Sequence, residues 1–247
     1  MHKQHEHHVQ PEMAWTDLWP VNAPARATGW SETLPPGLCV VVDDTGDEAA
    51  RWMPVLAGYA LPAHGQVRCA GVCSQEDPQA YTDQVYWHNP RQPLHDREMS
   101  AQQWLQTLAS HWPNWSDADC RQHCEGFALQ AHLSKPLWHL STGSLRKLGL
   151  VAALCSGARL TLIEEPIAGL DSDGIHYLCQ ALDALEDRLA DPAQPPRWVL
   201  VAHWEPLPHV LWDEVLAFPL LPEADSSPQA GPGDLHRQQN LLFDENP

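Results

Sequence analysis

Basic residues are scarce in this chain. Fourteen lysines and arginines stand against 32 aspartates and glutamates, a formal charge of −18 over 247 residues. Such a field repels phosphodiester backbones and anionic bilayers, so nucleic acid is not an expected partner. Long apolar runs are missing too. No stretch approaches the roughly 18 to 20 uninterrupted residues of a membrane span, and the opening MHKQHEHHVQ lacks the apolar core of a signal peptide. A cytosolic location is the expectation. Seven cysteines, an odd number, fit free thiols better than a disulfide framework. Phenylalanine is rare at three, whereas 12 tryptophans and 23 prolines are many for this length, and the sequence alone offers no function for that excess.

Two ends are weakly patterned. Residues 1–28 read as a loose arm of histidine, proline and polar residues, able to add one edge strand around positions 13–19. His2, His5, His7 and His8 within it are either a weak metal-binding arm or a solvated terminus, and solvation is the simpler account. Residues 220–247, rich in Pro, Gly, Ser and acids, read as a flexible tail. Between them, short apolar runs at 38–42, 84–87, 159–163, 198–202 and 214–217 alternate with helical patterns at 48–57, 101–111, 118–133, 144–156 and 173–190. That alternation implies an α/β fold with a mostly parallel sheet covered on both faces.

Three places carry candidate chemistry. In LSTGS, Ser141 is a good N-cap for the helix that follows, and Gly143 allows close backbone approach to whatever the helix N-terminus faces. The run LTLI leads into Glu164-Glu165-Pro166, two carboxylates at the carboxyl end of a buried strand, where one can polarise an attacking water. His203 ends the apolar run WVLVAH. Taken singly, each has a plain structural reading: a helix cap, an exposed turn, a structural histidine.

Taken in order, these blocks resemble the ATP-binding cassette ATPases, the nucleotide-binding subunits of ABC transporters. Leu140 to Ser144 resemble the family signature, Glu164-Glu165-Pro166 its Walker B end, Ala168-Gly169-Leu170-Asp171 its D-loop, and His203 its switch histidine. The resemblance covers residues 30–218. It implies a P-loop NTPase-like cassette over 29–219, with a small antiparallel edge and a helical subdomain at about 95–140. It implies ATP and Mg²⁺ as cofactors, and as partners a second cassette subunit and a membrane permease, at whose inner face the chain would sit. It gives Glu165 and His203 catalytic roles and lets Glu164 hold Mg²⁺ through water. In a head-to-tail pair, Ser141, Gly143 and Asp171 would address the partner's nucleotide.

The register set by Leu56-Ala57-Gly58 places the phosphate loop on Asp43 to Ala50, DDTGDEAA. Asp43 and Glu48 stand at the family's two outer glycines, Ala49 at its lysine and Ala50 at its Mg²⁺-binding hydroxyl, while Gly46 is retained. Both side-chain functions of the grip are absent. Each carboxylate about 4 Å from a phosphate oxygen would repel it by up to about 4 kcal/mol at an effective dielectric near 20. The expectation is a degenerate loop that binds ATP weakly or acts only in trans. A regulatory protein that keeps the fold without nucleotide chemistry is the rival reading. A Ca²⁺ loop in DDTGDE lacks the twelve-residue spacing that an EF-hand requires. Asn89 or Gln92 could replace the family's coupling glutamine, and Trp15 or Trp19 its adenine-stacking aromatic. Cys69, Cys73, Cys120, His123 and Cys124 form a weak zinc pattern, because the two groups are far apart in the chain.

Overall fold

A computed structural model describes residues 12–21, 29–92, 94 and 96–220. The His-rich start and all but the first residue of the expected tail therefore lie outside the described residues.

Two sheets organise the chain. The larger has five parallel strands in the order β6-β7-β8-β3-β9: β3 (Gly37–Val42), β6 (Val85–His88), β7 (Leu160–Glu164), β8 (Trp198–His203) and β9 (Glu214–Ala217). Every residue of β7 and β8 is buried, which is why these strands read as unbroken apolar runs and not as alternations. The smaller sheet is antiparallel, β2-β1-β4-β5, built from β1 (Met13–Trp19), β2 (Trp30–Leu34), β4 (His64–Cys69) and β5 (Val72–Cys73). β1 lies between β2 and β4, so the strand expected at an edge is an inner one.

Helices α1 (Ala49–Leu56), α2 (Pro78–Thr82), α3 (Ala101–His111), α4 (Asp117–Gly126), α5 (Thr142–Cys155) and α6 (Ser172–Leu189) complete the chain. The helix expected to run from 118 to 133 stops at Gly126, and a 3-10 turn follows at Gln130–His132. At Gly126 a Cβ would come within 1.9 Å of the Tyr177 ring of α6, and Ala128 turns the chain at φ 55°.

The core lies on both faces of the parallel sheet. On one face α5 and α6 bury Leu148, Val151, Leu178 and Leu182 against Ile163, Val199 and Val201. On the other, the antiparallel sheet and α1 enclose Trp15, Trp30, Trp52 and Trp198 with Leu200 and Phe218. Trp30 meets Trp15, Trp52 and Phe218 edge-on at 4.6, 5.2 and 5.7 Å between ring centres. Much of the tryptophan excess is thus core material between the two sheets. Among the described residues, no helix is long and apolar enough to cross a membrane.

Candidate functional site

Three adjacent parallel strands end at one edge and carry the candidate residues there. Val42 is paired with His203 and Glu164 with Ala202, so Asp43, Glu164 and His203 emerge side by side at the carboxyl ends of β3, β7 and β8. In open α/β sheets this end is where ligands are bound.

The loop after β3 closes on itself. Asp43 is 5% exposed, and its Oδ1 accepts from the backbone N–H of Gly46 at 2.8 Å and of Glu48 at 3.3 Å, and from the Thr45 hydroxyl at 3.2 Å. Its Oδ2 accepts from the N–H of Ala49, the first residue of α1, at 2.8 Å. Gly46 has φ 78°, the left-handed conformation that folds the loop around the carboxylate. Converging N–H groups at a helix N-terminus form an anion cradle; here the anion is the chain's own side chain. Glu48 is buried, and its carboxylate accepts from the Trp52 indole at 3.2 Å and pairs with Arg51 at 3.5 Å. Ala49 and Ala50 contribute neither an ammonium nor a hydroxyl.

The paired carboxylates have a cation of their own. Glu164 is fully buried and accepts from the Trp87 indole N–H at 2.8 Å and from Arg91 Nη1 at 3.2 Å. The same guanidinium donates through Nη2 to Glu165. Arg91 is aimed by a turn after β6, in which its N–H donates to Asn89 Oδ1 at 2.9 Å. Asn89 therefore serves the loop that presents Arg91. Burial pushes the Glu164 carboxyl up to about 7, and Glu165 and Asp43 push the same way, against the opposing pull of Arg91 and Trp87. Glu165 sits in the left-handed region at φ 44°, a conformation uncommon outside glycine, which turns its side chain out of the strand direction.

His203 is buried. Its Nδ1 lies 2.7 Å from the carbonyl of Glu205, while Nε2 is buried with no hydrogen-bond partner. Desolvation holds its pKa below the usual histidine value, partly offset by Glu205 and Glu165.

On a separate exposed turn, the Ser141 hydroxyl accepts from Ser144 N–H at 3.1 Å and caps α5. A Cβ on Gly143 would come within 2.9 Å of the Gly169 carbonyl, so the two turns touch there. Asp171 caps α6 through Gly174 N–H at 2.8 Å and reaches Lys147 of α5 at 2.8 Å. The hydrogen bond from Lys147 lowers the Asp171 pKa. The turns at residues 141–143 and 169–171 form one connected surface, with Ser141 and Asp171 exposed.

Trp15 and Trp19 do not offer a stacking platform. They are 1% and 8% exposed, and they pack on Trp30 and Trp52. Among the described residues no group of three or more His, Cys, Asp or Glu side chains is arranged to hold a metal ion. Sequence reasoning missed Arg91 and Trp87. A lone arginine just after β6 in so acidic a chain was the available signal.

No family model matches the chain. Over 158 residues it is 25% identical to the taurine import ATP-binding protein TauB of Pseudomonas syringae pv. tomato, covering 64% of this chain and 60% of that protein. Over 146 residues it is 28% identical to the cytochrome c biogenesis ATP-binding export protein CcmA of Paramagnetospirillum magneticum, covering 58% and 66%. The matched region thus spans less than two thirds of either relative. A solved ATP-binding subunit of an ABC transporter superposes with a TM-score of 0.64 at 19% identity, over 77% of this chain and 78% of that one. A putative ABC transporter ATP-binding protein from Pyrococcus furiosus gives 0.64 at 17% identity, over 84% and 97%. The chain has the fold of the ATP-binding cassette and is similar in sequence to the ATP-binding subunits of ABC transporters.

Proposed function

We propose that this chain is a cassette subunit of a membrane transporter that works on its partner's nucleotide and not on its own: a pseudo-ATPase with a degenerate phosphate loop. One observation carries the reading. The surface that would address a second cassette is solvent-facing and internally braced, with Ser141 and Asp171 exposed and joined through Gly143, Gly169 and Lys147. The chain's own loop supports the same division of labour. Magnesium nucleotide does not fit it: the amides of Gly46, Glu48 and Ala49 are already engaged by Asp43, and Ala49 and Ala50 supply no phosphate or metal ligand. ATP and Mg²⁺ would then be held by the partner subunit. The helix N-terminus at Ser141 and Gly143 would face the partner's phosphates, where its partial positive charge favours anions.

Glu165 would be a relic of water activation, tied up by Arg91, and Glu164 a former metal residue. A permease would hold the pair at the cytoplasmic face of the membrane.

The test is ATP turnover by a candidate partner cassette, alone and mixed with this chain. Addition of the wild-type chain should raise turnover, and Ser141→Arg, which puts a bulky side chain on the exposed turn, should abolish the increase while lowering the melting temperature by no more than the few degrees that loss of the α5 N-cap costs. Equal stimulation by Ser141→Arg would defeat the reading.

A further inference from the structure

The cassette site contains two charged side chains where a nucleotide site would admit ligands from solution. At the phosphate loop, one carboxylate takes three backbone N–H donors and a hydroxyl. At the ends of β7 and β6, one guanidinium lies across two carboxylates that no other basic side chain contacts in an ion pair among the described residues. The two arrangements are close enough for Asp43 to act electrostatically on Glu164. Both have the sign of the missing species. Asp43 supplies an oxyanion to an anion cradle, and Arg91 supplies a cation to a carboxylate pair.

We propose that the chain carries its own stand-ins for both halves of a magnesium nucleotide, Asp43 for the phosphate and Arg91 for the metal, so that this half-site is permanently liganded from within. Two features of the geometry separate this from a merely eroded site. Residues 44–47 of the loop are exposed and water can reach Gly46, but loss of lysine and hydroxyl alone would leave the N–H groups of the buried Glu48 and Ala49 in need of acceptors, a cost of about 1 to 3 kcal/mol for each unsatisfied group. The loop avoids that cost by turning a side chain inward at the first position of the old motif. Likewise a buried Glu164 beside Glu165 without a counter-ion would be an uncompensated charge, and Arg91 is delivered to both by its own turn. A tethered ligand neither leaves nor is hydrolysed. The functional consequence is that the loop and the carboxylates keep one arrangement whatever the nucleotide level, so control by ATP would reside in the partner's site alone. This inference rests on the chain's own contacts; its link to a partner rests on the function proposed above.

Hydrogen exchange on the isolated full-length protein tests the first stand-in. In the wild type the N–H groups of Gly46, Glu48 and Ala49 should be protected without any ligand, and about 10 mM inorganic phosphate at constant ionic strength should not change them. Asp43→Gly should speed their exchange at least tenfold, and phosphate should restore protection. Asp43→Asn, a milder change that keeps one acceptor oxygen, should unprotect only part of the set, which preserves the test if the glycine variant does not fold. The second stand-in is tested by calorimetric titration with MgCl₂: the wild type should take up no Mg²⁺ at this pair, whereas Arg91→Ala should gain a millimolar site. Unchanged exchange in both Asp43 variants, protection in the wild type that appears only with phosphate, or Mg²⁺ binding equal in wild type and Arg91→Ala would each overturn the proposal. None of these outcomes bears on Ser141→Arg, so failure here and failure of the partner reading are told apart.

Discussion

Glu164→Gln should make the protein more stable at pH 8 than at pH 5 relative to wild type. The buried carboxyl is pushed from 4.5 to about 7, mainly by desolvation. A carboxyl raised in the folded state is protonated there while the unfolded chain has already lost the proton. Its contribution to stability is therefore complete below the unfolded value and is lost as pH climbs through the folded one. The rise from 4.5 to about 7 corresponds to a loss of about 3 kcal/mol between those limits. Solvent screening does not reduce it, because the side chain has no exposed surface. Arg91 and Trp87 are already included in that balance, and they do not overcome burial. Glutamine keeps the shape and one acceptor oxygen, enough for either Trp87 or Arg91 but not both; that loss is the same at both pH values, and glutamine cannot ionise. In urea denaturation followed by tryptophan fluorescence, the stability of Glu164→Gln minus that of wild type should grow by about 3 kcal/mol from pH 5 to pH 8. All other carboxylates titrate in both proteins and largely cancel in the difference. A difference that stays constant with pH, or that shrinks as pH rises, would refute the claim that desolvation outweighs the Arg91 pair.

Two packing predictions follow from the same structure. Gly149→Ala in α5 should lower stability by up to about 2 kcal/mol in the same urea assay, and should not raise it: helix propensity favours alanine by about 1 kcal/mol, but the new Cβ would meet the buried His88 ring at 2.5 Å, and overpacking of that kind costs about 1 to 3 kcal/mol. Trp198→Phe should cost about 1 to 3 kcal/mol, since it strips the Leu34 carbonyl of an indole donor at 3.0 Å in the buried layer between the two sheets; a melting curve unchanged from wild type would contradict that.

How far the sequence could be read depended on whether the signal was local. β3, β7 and β8 were legible because strands buried on both faces need mostly apolar side chains, and Gly37–Val42, Leu160–Glu164 and Trp198–His203 are apolar apart from Gly37, Thr161 and the terminal Glu164 and His203. α3 was legible from its helical pattern at 101–111, and the structure adds a capping box of Ser100 and Gln103 at its start. β2 and β4 were not legible: WSETL is short, and HGQVRC has its three leading residues exposed, so their strand character comes from pairing with β1 and not from pattern. That the chain turns from β3 into α1 over residues 43–48 was legible from the apolar run before it and Leu56-Ala57-Gly58 after it, but the work of Asp43 was not. From sequence alone its carboxylate counts only as repulsion toward a phosphate; in the fold the same carboxylate is the acceptor that satisfies the loop. Arg91 shows the same limit. Glu164 lies 73 residues away in sequence, and only the parallel pairing of β6 with β7 brings the two together.

Charge placement connects these observations. With 14 basic residues against 32 acids, general neutralisation is impossible, so the positions where cations are used matter. Of the six ion pairs among the described residues, four involve Glu48, Glu164, Glu165 or Asp171, all at the loop after β3, the end of β7 or the turn before α6. Asp43 is compensated differently, by N–H groups at the start of α1, which act as partial positive charge. A site meant to draw Mg²⁺ from solution needs its carboxylates unpaired, and one meant to draw phosphate needs its amides and a cation uncommitted. Here Arg91 is committed to the carboxylates and the amides to Asp43. Supplying more ATP would not release either, because a tethered group has an effective concentration that is typically millimolar or higher; on the reading proposed above, only the surface at Ser141, Gly143 and Asp171 is left to respond to a nucleotide, and that nucleotide is the partner's.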